Sequence, residues 1–484
     1  MDTQIWMTGF LLGLIPLLKW VLRSFNHWWY CYPHFKSNTG GQLPPGDMGW
    51  PIVGELLSFL WYFKFTGKPD DFIWKRFAKY GNTGIYRTHM FSFPAIITCS
   101  PEFNKFVMGR GTEDGSFVAG WPCPKLLGEQ SITMVEGEQH KRMRRSLLEA
   151  VNSPKSLQNI FIKLQPVFKE TFENWAVKGE IHTADELKSL AFGNICSLFL
   201  SFERSPMVES MEKMYRGLLS GLRAHPINIP GSAFHFALKC RRRLSAIVCS
   251  EIHSRKVNKE NMMADFLSNL MDLVDFNGKK LNEEEIVDNL TSMLLAGYES
   301  TASSMIWAIY YLSKYPNVLS KLKEENFTIK KEKGEDKFLN YNDVKKMTYT
   351  LKVVDEVIRL ANVANFMFRT VSKDTKFKGY KFPKGWKVIV WLRSLHVDPQ
   401  YFKDPLTFNP DRWDEFNLSS GVYNVFGHGS RQCPGNNLAK MQLLIFLHQI
   451  CVDYKWHLVN PNEATKFLPN PRLANGAKII FSHV

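Results

Sequence analysis

Phe426-Gly427-His428-Gly429-Ser430-Arg431-Gln432-Cys433-Pro434-Gly435 sets one cysteine in a frame that ordinary packing does not require. Gly429 and Gly435 allow the backbone to turn tightly and approach a flat group closely. Pro434-Gly435-Asn436-Asn437 opens a helix, whose N-terminus offers N–H donors and a positive field to a sulfur anion. Phe426 can shield that sulfur, and Arg431 can pair with a carboxylate in a charge-assisted bond. The set suits a thiolate bound to iron beneath a macrocycle such as haem, with Arg431 on a propionate. An axial thiolate favours O–O cleavage. Cys123-Pro124 serves as an internal control, because it lacks the Phe, Gly and Arg frame. His428 is a poor ligand candidate, and the other histidines show no metal-ligand spacing.

Upstream of this segment, the longest helical pattern runs from about residue 284 to 315 and stops at Pro316. It is apolar through its middle, so it is expected to cross the core. Residues 84–88 and 95–98 are β-rich and read as a hairpin. A second strand pair is expected within 377–392, with Pro383-Lys384-Gly385 as its turn. The body therefore reads as mainly α with small β-sheets. Asn289, Asn326 and Asn417 stand in glycosylation-like triplets, and none is read as a modification site.

The Cys433 segment resembles the haem-binding signature of the cytochrome P-450 superfamily, Phe-x-x-Gly-x-Arg-x-Cys-x-Gly. Three further motifs follow the family order, and the resemblance covers essentially the whole chain. Ala296-Gly297-Tyr298-Glu299-Ser300-Thr301 resembles the oxygen-activation motif of the long helix. The resemblance implies that Gly297 gives room for dioxygen, Glu299 supplies an acid, and Ser300 or Thr301 supplies a hydroxyl for proton relay. The family usually has Thr where Ser300 stands. Glu356-Val357-Ile358-Arg359 resembles Glu-x-x-Arg, whose i, i+3 spacing puts both charges on one helical face. With Arg412 the pair is expected to form a buried structural network. His140-Lys141-Arg142-Met143-Arg144 resembles the propionate-binding helix, with His140 in place of the usual Trp. His140 and Arg144 lie one turn apart and could both reach propionates.

The chain has 484 residues, a net charge of +15 and 45% hydrophobic residues. Its basic residues are spread out rather than gathered on a recognition element, which speaks against nucleic acid. The eight cysteines form no CxxC pair and no disulfide framework. Ile5 to Leu18 is free of charge, and Lys19, Arg23 and Trp28-Trp29 follow it, as at the cytosolic end of a single transmembrane helix. The expected organisation is a membrane anchor over 1–24, a Pro/Gly-rich hinge over 25–51 and a haem-thiolate catalytic domain over 52–484.

Leu43-Pro44-Pro45-Gly46-Asp47-Met48-Gly49-Trp50-Pro51 and residues 359–369 resemble plant ent-kaurenoic acid oxidases and β-amyrin 11-oxidases. This implies a haem b monooxygenase anchored in the endoplasmic reticulum membrane, with its body in the cytosol. Electrons would come from NADPH through NADPH-cytochrome P-450 reductase, and O2 would oxidise a hydrophobic di- or triterpenoid. Residues 361–368 are expected to line an apolar distal pocket. A divergent member acting on another steroid or alkaloid is an alternative, as is a reductase-independent isomerase or dehydratase on the same scaffold. The Glu299–Ser300 pair argues against the latter, which has no use for a proton relay.

Overall fold

The 32-residue helix Glu283–Lys314 organises the molecule. Asn282 caps it by accepting from the Glu285 backbone N–H, and the Glu285 carboxylate accepts from the Asn282 N–H. This reciprocal capping box fixes the start, and Glu283 and Glu284 suit the positive end of the helix dipole. Pro316 stops it and opens the next helix, Pro316–Lys333, at a position where no N–H is needed. Because the long helix is apolar on most sides, it packs against the helices Thr183–Leu200, Ala233–Val257, Thr348–Ala361 and Asn436–Asp453.

The computed structural model describes residues 2–35, 41–121, 123–258, 265–274, 278–334, 337–414, 421–467 and 470–484. Residues 36–40 of the expected hinge and the triplet at Asn417 lie outside them. Asn289 and Asn326 are fully buried in helices, which fits their exclusion as modification sites.

The largest sheet has five strands, in the order Ile85–Met90, Phe93–Thr98, Lys387–Trp391, Phe366–Val371 and Phe117–Ala119. All neighbours are antiparallel except Phe93–Thr98 with Lys387–Trp391. Alternation along the strands splits their side chains between two apolar layers. Ile96, Val388 and Val390 pack with Phe103, while Ile97, Ile389 and Trp391 pack with Phe59 and Phe72.

The first hairpin turns at Phe91-Ser92, where both residues have positive φ, as a tight primed turn demands. Pro94 lies inside the second strand opposite His89. The second expected pair differs from the sequence reading. Thr375–Phe377 pairs with Tyr380–Phe382 around Lys378-Gly379, again two residues of positive φ. Pro383-Lys384-Gly385 instead leads into Lys387–Trp391, which pairs with Phe366–Val371 and with the distant Phe93–Thr98.

The N-terminal helix spans Asp2–Tyr30 with Pro16 inside it, so it continues past residue 24 into the stretch expected as hinge. The cause is docking at its C-terminal end. Buried Asn26 donates from Nδ2 to the carbonyls of Met48 (3.0 Å) and Trp50 (2.5 Å), and Arg23 pairs with Asp47 at 3.1 Å. Among the described residues no helix is long and apolar enough to cross a membrane. Leu14, Ile15, Leu17, Leu18, Trp20 and Trp29 of this helix are exposed.

Candidate active site

Cys433 stands at the entrance of helix Asn436–Asp453. Its backbone N–H donates to the Phe426 carbonyl at 2.8 Å and closes the loop. The Gly435 N–H donates to its sulfur, and the Arg144 charge favours the anion, while burial pushes the thiol up. Half-buried Phe426 packs on the main core beside it.

Two of the loop's three glycines, Gly429 and Gly435, do different jobs. Gly429 has φ +70°, and a Cβ there would stand 2.4 Å from the Met108 carbonyl oxygen, so both conformation and contact exclude a side chain. Gly435 has an ordinary φ of −93° and needs no special freedom, contrary to the expected turn role. A Cβ on it would lie 4.0 Å from Cys433 Sγ, so the glycine keeps one side of the sulfur clear.

Above the loop four basic side chains converge. Arg431 donates to the carbonyls of Ile132 (3.2 Å) and Val135 (2.6 Å) and pairs with Glu136 at 2.5 Å. Arg144 reaches back to the Gln432 carbonyl at 2.7 Å. Buried His140 is pushed down to about 4 by its burial, then by Arg431, Arg144 and Arg369. Arg369, on strand Phe366–Val371, is also buried. Its guanidinium is pushed down to about 10 by burial and then by Arg431, with Glu136 opposing. The Nε atoms of both Arg369 and Arg431 are buried without a hydrogen-bond partner in the structure. Arg369 and Arg431 share one carboxylate, Glu136, and with Arg144 beside Arg431 they leave positive charge uncompensated, which is costly where it is buried unless an anion joins them. The residues fit a planar group bearing carboxylates, such as haem with its propionates.

Arg369 is the residue the sequence reading missed. An arginine inside the apolar run Phe366-Met367-Phe368-Arg369-Thr370-Val371 was the available signal.

On the long helix the expected residues separate. Glu299 turns outward and pairs with Arg223 at 3.0 Å. Ser300 donates from Oγ to the Ala296 carbonyl at 2.6 Å, one turn back. Thr301 is buried, about 100° further round the helix. Gly297 does not hold the open position. Its missing Cβ would stand 3.0 Å from Ile195, so this glycine lets helix Thr183–Leu200 come close. Ala296 is instead the exposed small residue in mid-helix, and Ala364 is similarly exposed after helix Thr348–Ala361.

The charge network is fully buried. Glu356 receives Arg359 (2.7 and 2.8 Å), Arg412 (3.0 Å) and the Asn409 N–H (3.1 Å). Arg359 also donates to the His396 and Pro405 carbonyls, and Arg412 to those of Lys403, Asp404 and Thr407. Every charge is therefore paired and hydrogen-bonded, as deep burial requires.

The Cytochrome P450 family model matches residues 44–480. Ent-kaurenoic acid oxidase 2 of Arabidopsis thaliana is 38% identical over 476 residues, covering 96% of this chain and 95% of its own. Beta-amyrin 11-oxidase of Glycyrrhiza uralensis is 36% identical over 93% of this chain and 92% of its own. A 7,8-epoxymelianol synthase of Ailanthus altissima is 35% identical over 97% and 95%. Among solved structures, retinoic acid bound cyanobacterial CYP120A1 superposes with a TM-score of 0.81 at 26% identity, over 92% of this chain and 100% of that one.

Proposed function

The chain belongs to the cytochrome P450 family as a monooxygenase, and on that premise we propose that it hydroxylates or successively oxidises a polycyclic terpenoid. Members of the family use haem, dioxygen, a redox partner and a hydrophobic substrate. The observation that carries the reading is the Cys433 sulfur in the field of Arg144, which clusters with Arg369, Arg431 and His140.

In this reading Cys433 would hold the iron, whose charge would make the sulfur an anion that the Gly435 N–H and Arg144 favour. The three arginines and His140 hold the propionates, and Phe426 screens the sulfur from water. When bound, haem supplies dioxygen activation, and its thiolate ligand favours O–O cleavage. Proton delivery falls to the long helix. Glu299 takes protons from the solvent side, where Arg223 holds it, and Ser300 passes them toward the open side next to Ala296. Two protons and two electrons then balance insertion of one oxygen atom into a C–H bond, with the other leaving as water. Electrons come from NADPH through NADPH-cytochrome P-450 reductase, for which the net charge of +15 suits an acidic partner.

The relatives' names support the substrate class, since they include an oxidase of ent-kaurenoic acid and one of β-amyrin. We place the protein at the endoplasmic reticulum membrane. The exposed apolar residues of helix Asp2–Tyr30 support this, as do Leu57, Trp61 and Phe65, exposed at one-turn spacing. The test is incubation with reductase, NADPH and O2 on a panel of diterpenoid acids and triterpenes. The account requires product heavier by one oxygen, or by a further oxidation of it, and strictly dependent on NADPH. Turnover without NADPH would instead favour an isomerase.

A further inference from the structure

The residues on either side of Cys433 have their carbonyls held by one helix. Helix Gly137–Asn152 carries Arg144 and, about two turns later, Asn152 at its last position. Arg144 donates to the Gln432 carbonyl at 2.7 Å, and Asn152 donates from Nδ2 to the Pro434 carbonyl at 3.3 Å. Asn152 is itself held. Its Oδ1 accepts from Asn437 Nδ2 at 3.2 Å, and the reverse setting of its amide would face oxygen to oxygen at Pro434. Just beyond it, the Ser153 N–H donates to the Glu149 carbonyl. The Ser153 hydroxyl oxygen caps the next helix, Pro154–Lys178, by accepting from the Ser156 N–H at 3.2 Å.

A trans peptide is planar, and its C=O and N–H point in opposite directions, so an anchor on one end aims the other. In the plane shared by Gln432 and Cys433, Arg144 holds the carbonyl and the Cys433 N–H points to the Phe426 carbonyl at 2.8 Å. In the plane shared by Pro434 and Gly435, Asn152 holds the carbonyl and the Gly435 N–H points to the Cys433 sulfur. Gly435 precedes the first residue of helix Asn436–Asp453, so the helix ladder does not fix the direction of its N–H. The side-chain anchor at Asn152 does.

We propose that Asn152 is a positioning residue: by holding the Pro434 carbonyl it aims the Gly435 N–H at the sulfur, and so raises the reduction potential of the iron that Cys433 would hold. The inference rests on the thiolate reading above. A donor on the sulfur draws electron density from it, which favours the more negative, reduced state of the site. Without Asn152 the peptide plane is anchored at one end only. The bond to sulfur then weakens and the potential falls.

The test is potentiometric titration of the full-length haem-loaded protein in detergent micelles without substrate. Wild type, Asn152→Leu and Asn437→Ala are compared, and the reduced carbon monoxide spectrum of each is recorded. Asn152→Leu is expected to keep the red-shifted band of a thiolate ligand. Its equilibrium should move roughly fivefold toward oxidised iron, the weight of one ordinary hydrogen bond. A merely structural tie would change haem retention or stability and leave the potential where it is. Asn152→Leu with the band and a wild-type potential overturns the inference. If that variant loses haem or the band, Asn437→Ala decides, since it frees the Asn152 amide without removing it. A lower potential with the band intact then upholds the inference, and an unchanged one overturns it. Wild type without the band overturns the thiolate reading, and this inference with it.

Discussion

Arg223 and Glu299 face each other at 3.0 Å, one just past the end of helix Pro206–Leu222 and the other midway along the long helix. The acid assigned to proton delivery is thus held on the solvent side, while Ser300, its neighbour in sequence, bonds back to Ala296. Replacing Glu299 by Gln removes the proton-accepting group and leaves the size unchanged. Product formation should fall by about a hundredfold, with haem content intact and more NADPH consumed per product. Arg223→Met breaks a partly exposed pair, so its effect should be about fivefold or less. The ratio of product to NADPH consumed checks both. Equal effects of the two substitutions would mean that Glu299 matters only as half of an ion pair.

Arg369 has a buried Nε without a partner and lies within the field of Arg431. If it exists to hold an anion, Arg369→Met should weaken haem retention by about tenfold or more, the cost of losing a hydrogen bond to a charged group. Transfer of haem to apomyoglobin measures this directly. Retention unchanged from wild type would remove Arg369 from the cradle.

Gly429 and Gly435 of the cysteine loop predict two different failures. Gly429→Ala meets a positive φ and the Met108 carbonyl, so it should cost at least about 2 kcal/mol of folding stability. Gly435→Ala keeps its backbone and should change stability by less than about 0.5 kcal/mol. It places a methyl beside the sulfur, so haem uptake should suffer instead. Thermal melting and haem content, measured on both variants, separate the two effects.

His140, His396 and His448 lie at about 4, 3 and 4, each chiefly because of burial. The unfolded chain takes up protons at these sites near pH 6.5, well before the folded chain does. Their contribution is therefore complete above pH 6.5 and declines as pH falls from there toward 4. The melting temperature should drop between pH 6.5 and 5. His448→Gln, which can keep the 2.8 Å bond to Asn326 without titrating, should flatten part of that drop. An unchanged slope in that variant would contradict the assignment.

What could be read from the sequence was what local spacing determines. The Cys433 frame, the ends of the long helix and the Glu356–Arg359 pair all depend on neighbours within one or two turns. Arg369 was hidden because its role depends on which face of a strand it occupies and on Arg431 arriving from another segment. Ala296, not Gly297, is the exposed small residue because helix phase decides which neighbour faces outward, and Ile195 fills the glycine's side. The pairing of Lys387–Trp391 was not legible because one neighbour, Phe93–Thr98, lies far away in sequence and the other, Phe366–Val371, lies beyond an intervening hairpin. The N-terminal helix outran its expected end because Asn26 docks on the carbonyls of Met48 and Trp50, a contact no periodicity announces.

The central claim is that Cys433 ligates haem iron as a thiolate. The most direct measurement is the absorption spectrum of the reduced protein with carbon monoxide, for wild type and Cys433→His. The account predicts a strongly red-shifted Soret band in wild type that is lost in the variant while haem remains bound. Haem-loaded wild type without that band, or a variant that keeps it, would contradict the account.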